Sequence, residues 1–265
     1  MTKSSHDKGF APAAGSIEDG ATQTSLQGLE AGDAVLPCGA PAYYAMPEEG
    51  RNLPVVLVAQ EIFGLHEHIR DIVRRFGKLG YFAVAPDFLI RYGDPSKAPD
   101  VETILRTIVS RVPDSETMMI FDEALDFAES RGGDRSRAAI TGFCWGGRIA
   151  WLYAAHNPQL AACAPWYGRL DGPHTTEQPH WPIDVADKIS VPTLGLYGGA
   201  DPSISLDLVA RMQARLAESG APADIIVYDD APHAFFADYR PSYRVQAAQD
   251  AWNRALSFFR AHGVA

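Results

Sequence analysis

Thr141-Gly142-Phe143-Cys144-Trp145-Gly146-Gly147 is the stretch on which the reading of this chain turns. Upstream, Ser136-Arg137-Ala138-Ala139-Ile140 ends as a short apolar run that reads as a buried strand. Downstream, Arg148-Ile149-Ala150-Trp151-Leu152-Tyr153-Ala154-Ala155 reads as a helix. Strand, tight turn and helix follow one another, with Cys144 at the tip. This is the G-x-nucleophile-x-G elbow with cysteine in place of serine. The flanking glycines leave room for a strained tip, where a Cβ on either side would clash. The helix aims its free N–H groups at the tip and favours a thiolate there, and later an oxyanion. The plainer reading, a buried inert cysteine in a helix-capping turn, lacks a reason for the glycines.

The rest of the chain supplies a scaffold for that turn. At 265 residues, one large α/β domain is an ordinary size, and 46% hydrophobic residues are enough for its core. Residues 1 to about 30 are rich in Ser, Gly, Ala and Thr without a period and read as a poorly ordered arm, which leaves 31–265 as the domain. Gly39 to Pro47 reads as an edge strand, with prolines at its ends. Leu53-Pro54-Val55-Val56-Leu57-Val58-Ala59 is a continuous apolar run, the mark of a strand buried on both faces. Helix is expected from His66 to Leu79, from Val101 to Val109 and from Asp114 to Glu129, the last on a stripe of Met118, Phe121, Leu125 and Phe127. Tyr81–Pro86, Gln159–Gly168, Pro192–Gly198 and Ala223–Tyr228 read as further strands, Leu206–Ser219 and Tyr243–Phe259 as further helices, and Arg169–Ser190 as a loop. Strands alternating with helices predict a mostly parallel sheet covered on both faces.

Several function classes are disfavoured at once. A net charge of −10 argues against nucleic acid or an anionic membrane as partner. Three cysteines, Cys38, Cys144 and Cys163, make no disulfide framework, and an unpaired reactive thiol suits the cytoplasm. No apolar run reads as a signal peptide or a membrane span. His66 and His68 resemble a metal pair, but two residues apart they face different sides of a helix, so no metal is expected.

A parallel sheet presents its site at the carboxyl ends of its strands. Gly199-Ala200-Asp201-Pro202 follows one such strand, and Asp229-Asp230-Ala231-Pro232-His233 follows the next. Cys144, Asp201 and His233 then stand in the order nucleophile, acid, base. His233 is expected to manage the proton, Asp201 to fix its tautomer, and Cys144 to attack an acyl carbon. Asp201 ahead of Pro202 also reads as a simple helix cap. The backbone N–H of Trp145 is expected to form half of an oxyanion hole, and the loop near Ile62 the other half. Glu61 is a carboxylate placed directly after a buried strand, which is costly without a partner or a task.

Gln60-Glu61-Ile62-Phe63-Gly64, Gly142 to Gly147, Trp166-Tyr167-Gly168, Gly198 to Asp201 and His233-Ala234-Phe235 together resemble the dienelactone hydrolases (carboxymethylenebutenolidases), from about residue 40 onward. Within them the chain is most similar to a bacterial branch with an N-terminal extension and Ala237-Asp238-Tyr239-Arg240-Pro241-Ser242-Tyr243 after the histidine. The resemblance implies an α/β-hydrolase fold, a Cys144–His233–Asp201 triad, no cofactor, and a monomer or homodimer acting on a small ester or lactone. It implies that Glu61 meets the resting thiol and helps generate the thiolate. It also implies arginines that read a substrate carboxylate: Arg91 matches the first, whereas Ala237 stands at the second position and Arg240 lies near but out of register. Phe63, Trp166, Tyr167 and Phe235 join these arginines as expected substrate contacts. The departure at Ala237 narrows the expectation to ester or lactone hydrolysis. The alternative is a hydrolase-fold protein that binds a small ligand without catalysis, or senses oxidants through Cys144.

Overall fold

The apolar run Leu53–Ala59 lies in the middle of a single eight-stranded sheet, and Val55 to Ala59 are wholly buried. The computed structural model describes residues 21–265. Its strands are β1 (Leu29–Val35), β2 (Pro41–Pro47), β3 (Leu53–Ala59), β4 (Phe82–Pro86), β5 (Gly133–Phe143), β6 (Ala162–Trp166), β7 (Thr193–Gly198) and β8 (Ala223–Tyr228). Its helices are α1 (Glu67–Lys78), α2 (Val101–Thr107), α3 (Asp114–Ser130), α4 (Trp145–His156), α5 (Leu206–Ser219) and α6 (Val245–Ala261). The strand order is β1-β2-β4-β3-β5-β6-β7-β8. From β3 to β8 every pairing is parallel, while β1–β2 and β2–β4 are antiparallel. Parallel neighbours need crossovers, and helices supply them on both faces. Phe76 of α1 packs on Trp252 of α6 with ring centroids 4.8 Å apart, and Phe121 of α3 packs on Tyr153 of α4 at 5.5 Å. This is the α/β-hydrolase arrangement.

Three readings change. Gly39–Pro47 is not at the edge, because β1 pairs along the whole of β2, from Leu29 opposite Pro47 to Val35 opposite Pro41. The segment Leu29-Glu30-Ala31-Gly32-Asp33-Ala34-Val35 has no apolar run of its own and becomes a strand only through that pairing. It begins inside the stretch assigned to an arm; residues 1–20 of that stretch lie outside the described residues. The loop from Arg169 to Ser190 contains a 3₁₀ segment, Pro182–Lys188. Among the described residues no helix is long and apolar enough to cross a membrane.

Topology decides where chemistry is possible. The chain runs from β3 outward to β4 and then returns to the other side of β3 as β5. That reversal opens a crevice at the carboxyl ends of β3 and β5, where Ala59 lies beside Gly142. Gly142 and Gly146 close the crevice tightly. A Cβ on Gly142 would sit 2.1 Å from the carbonyl oxygen of Gly146, and one on Gly146 would sit 2.1 Å from that of Ala59. Gly146→Ala is therefore expected to lower stability by about 3 kcal/mol, the upper end for overpacking, which is a Tm loss of roughly 6–12 °C. Thermal unfolding checks this, and an unchanged Tm would mean the crevice is looser than drawn.

Candidate active site

Cys144 leaves β5 at φ 56° and ψ −116°, a conformation that L-residues avoid. Its N–H donates to the carbonyl of Trp166 at the end of β6, 3.1 Å away. Gly147 and Arg148 donate their N–H groups to the Cys144 carbonyl and start α4, so the Trp145 N–H precedes the first closed helical turn. Two other non-glycine residues with positive φ lie close in the fold: Tyr167 at 37°, one residue past β6, and Ala234 at 58°, directly after His233. Strain of this kind persists only where surrounding packing enforces it, and it gathers at functional sites.

The parallel pairing of β7 and β8, with Gly198 beside Tyr228, brings their trailing loops together. His233 Nδ1 lies 2.7 Å from Asp201 Oδ2. The other carboxylate oxygen of Asp201 accepts the Ser203 N–H at 2.8 Å, the Ser203 hydroxyl at 2.6 Å and the Ile204 N–H at 3.2 Å. Asp201 thus both shapes its own turn and holds the imidazole, so the two readings of this residue are compatible. Burial raises the proton affinity of Asp201, but the hydrogen bond and charge of His233 outweigh it and hold the carboxyl below its ordinary value. For His233, burial favours the neutral ring. The negative charge of Cys144 and the hydrogen bonds to Asp201 and Cys144 overcome this and raise it to about 10. Ser203 carries no spacing signal that would have pointed to it.

Glu61 is 1% exposed at the end of β3. Its Oε2 accepts the Tyr239 hydroxyl at 2.8 Å and lies 3.1 Å from His66 Nε2. Burial pushes the Glu61 carboxyl up, while His66, His68 and Arg240 pull it down. The directions within the pair conflict: a charged His66 would depress Glu61 most, yet burial lowers His66 towards its neutral form against the pull of Glu61. The downward direction for Glu61 stands, because two donated hydrogen bonds favour its anion even when His66 is neutral. Held this way, Glu61 contacts His66 and Tyr239. Behind them His68 Nδ1 lies 3.1 Å from Asp238, which also pairs with Arg75 at 2.6 Å. The two histidines thus serve two different carboxylates. Among the described residues no group of three or more His, Cys, Asp or Glu is placed to hold a metal.

The loop Gln60–Gly64, including Ile62, is anchored on its other side by Gln60 Nε2 donating to Asp87 at 2.9 Å. Of the expected substrate contacts, Trp166 and Phe235 are 1% and 0% exposed and belong to the core. Trp166 donates its indole N–H to Thr141 at 3.0 Å and packs on Phe236 at 4.7 Å. Arg91 forms an ion pair with Glu116 at 2.6 Å. Arg240 sits over the Phe63 ring, 5.5 Å from its centroid. Arg148, fully buried, binds Asp114 through both terminal nitrogens at 2.6 and 2.8 Å and lies between the rings of Trp145 and Trp181. It thereby ties α4 to the loop that follows β6.

Residues 40–263 match the model of the dienelactone hydrolase family. A relative from Escherichia coli (strain K12), named "Putative carboxymethylenebutenolidase", is 49% identical over 259 residues, 96% of each chain. A relative from Bradyrhizobium sp., named "Probable 2-oxo-3-(5-oxofuran-2-ylidene)propanoate lactonase", is 31% identical over 225 residues, 83% of this chain and 89% of its own. The crystal structure titled "Putative Dienelactone Hydrolase" from Klebsiella pneumoniae superposes with a TM-score of 0.85 at 48% identity, covering 88% of this chain and 98% of that one.

Tyr239→Phe removes one donor from Glu61 and is expected to cost about 1–3 kcal/mol at pH 7. A carboxyl held below its ordinary value of 4.5 contributes stability above that value, and this is lost as pH falls through the folded-state pKa. The variant should therefore unfold in acid at a higher pH than the parent, followed by circular dichroism. An unmoved acid midpoint would show that Tyr239 does not hold the anion.

Proposed function

The chain belongs to the dienelactone hydrolase family and is a hydrolase of esters or lactones, and we propose that it works through a Cys144–His233–Asp201 triad and a thioester acyl-enzyme. The observation that carries the proposal is geometric: Cys144 stands at a strained tip, and His233 Nδ1 lies 2.7 Å from Asp201. An imidazolium beside a thiol stabilises the thiolate, which is the attacking species.

In the first half-reaction Cys144 Sγ forms a bond to the acyl carbon, and the carbonyl electron pair moves onto oxygen. The N–H groups of Trp145 and Ile62 receive that oxyanion. As it collapses, the bond from acyl carbon to ester oxygen breaks, and the His233 proton goes to the departing oxygen. His233, now neutral, takes a proton from water, and the hydroxide adds to the thioester carbon. Collapse expels the Cys144 thiolate beside a restored imidazolium. Asp201 keeps its charge throughout and holds the tautomer. Glu61, anchored by His66 and Tyr239, fixes the loop that carries the Ile62 donor.

For the substrate we propose a small ester or lactone bearing a carboxylate. Arg240 over Phe63, beside Glu61, supports a local cation in a chain whose net charge is −10. The Bradyrhizobium relative, named for a lactone that contains a propanoate, supports the same class. Arg91, engaged with Glu116, takes a lesser part than Arg240. The unpaired nucleophilic thiol is consistent with a cytoplasmic setting.

Cys144→Ala should abolish hydrolysis of p-nitrophenyl acetate and of a carboxylate-bearing lactone, and retained turnover would remove the thiol from the reaction. His233→Ala should slow alkylation of Cys144 by iodoacetamide at pH 7 by tenfold or more, as expected when the imidazolium partner of a thiolate is lost. An alkylation rate unchanged by His233→Ala would contradict the ion pair.

A further inference from the structure

Tyr167 carries two separate penalties at one residue. Its backbone lies at φ 37°, and its side chain is wholly buried. The hydroxyl oxygen has no hydrogen-bond partner among the described residues. Strain at a non-glycine residue and an orphaned buried hydroxyl each cost of order 1–3 kcal/mol. Other buried tyrosines do not bear the second cost. Tyr197 donates its hydroxyl to Gly168 at 2.8 Å and accepts the Trp151 indole N–H at 2.9 Å, and Tyr239 donates to Glu61.

The placement of Tyr167 gives the penalties a purpose. Its ring stands edge-on to the His233 imidazole with centroids 5.2 Å apart, and packs on Phe235 at 5.3 Å. The charged groups that act on its hydroxyl are Glu61, Cys144, Arg240 and Asp238. An unpartnered hydroxyl thus belongs to a ring packed against His233, the base of the proposed triad, and held by Phe235. Burial, reinforced by the nearby anions, raises its proton affinity well above the ordinary value, so it stays a neutral donor at every working pH.

We propose that the Tyr167 hydroxyl is a further catalytic group, donating a hydrogen bond to an oxygen of the bound acyl group as the tetrahedral intermediate forms. This deepens the triad reading and rests on it. No proton is transferred in the step: the O–H bond stays intact, and negative charge building on the substrate oxygen strengthens the contact. An interaction that grows in the transition state lowers the barrier, whereas one equally strong in the bound ester would only lower KM. The cost of the orphaned hydroxyl is offset at the moment an acceptor oxygen reaches it.

The test compares Tyr167→Phe with Tyr197→Phe, using p-nitrophenyl acetate, thermal unfolding and iodoacetamide alkylation of Cys144. Tyr167→Phe keeps the ring and removes only the orphaned oxygen. It should unfold at the same or a higher temperature than the parent, alkylate at the parental rate, and lose at least tenfold in kcat with KM within about twofold, a loss at the lower end of that for deleting one oxyanion donor. Tyr197→Phe, which breaks two satisfied hydrogen bonds, should lose stability and keep kcat. A kcat within twofold of the parent for Tyr167→Phe would overturn the proposal. So would a loss expressed wholly in KM, or a parallel fall in alkylation, which would put the effect on the thiol. Cys144→Ala run alongside separates the two readings, because hydrolysis retained there overturns the triad whatever Tyr167→Phe does.

Discussion

The close approach of Gly142 and Gly146 to the carbonyl end of β3 is the constraint on which the site depends. With no Cβ at either position, α4 can begin against Ala59, and the chain has no easy route from β5 into α4 except through a left-handed residue at the tip. That residue is Cys144. At this tip the Cys144 N–H donates to the Trp166 carbonyl, and the Gly147 and Arg148 N–H groups close the first turn on the Cys144 carbonyl. Strain at one side chain is thus the consequence of packing between backbones, and packing between backbones is stiff.

Two buried carboxylates flank this tip and are used in opposite ways. Asp201 spends one oxygen on its own turn and the other on His233, so that its charge raises the imidazole's proton affinity. Glu61 spends its charge on His66 and Tyr239, which keep it an anion. Both are buried, and both keep low proton affinity for the same reason: hydrogen bonds donated to the anion outweigh desolvation. The difference lies in the partner. His233 stands on the loop after β8, whereas His66 leads back into α1 and, through stacking on His68, towards Asp238 and Arg75.

Three strained residues, Cys144, Tyr167 and Ala234, stand where β5, β6 and β8 deliver their chains to one edge of the sheet. Beneath them Phe143, Trp166, Phe235 and Phe236 form a close aromatic layer, with Phe143 stacked on Phe236 at 5.3 Å. This layer enforces conformations that the local sequence would not choose.

The central strands, most helix spans and the order Cys144, Asp201, His233 were legible because each rests on local pattern: apolar runs, helical stripes and glycines at a turn. Strand β1 was not legible, since Leu29–Val35 acquires its structure from pairing with β2 and has no apolar period of its own. Glu61 was visible as a charge out of place, but its partners were not. His66 lies five residues along and Tyr239 lies 178, and no spacing rule connects hydrogen bonds made across a folded core. The same holds for Ser203, for the engagement of Arg91 with Glu116 and for the burial of Trp166. Sequence alone determined the fold class, because periodicity and backbone sterics are local. Only the tertiary structure decided which donor holds which charge, because electrostatic partners are set by the packing of segments far apart in the chain.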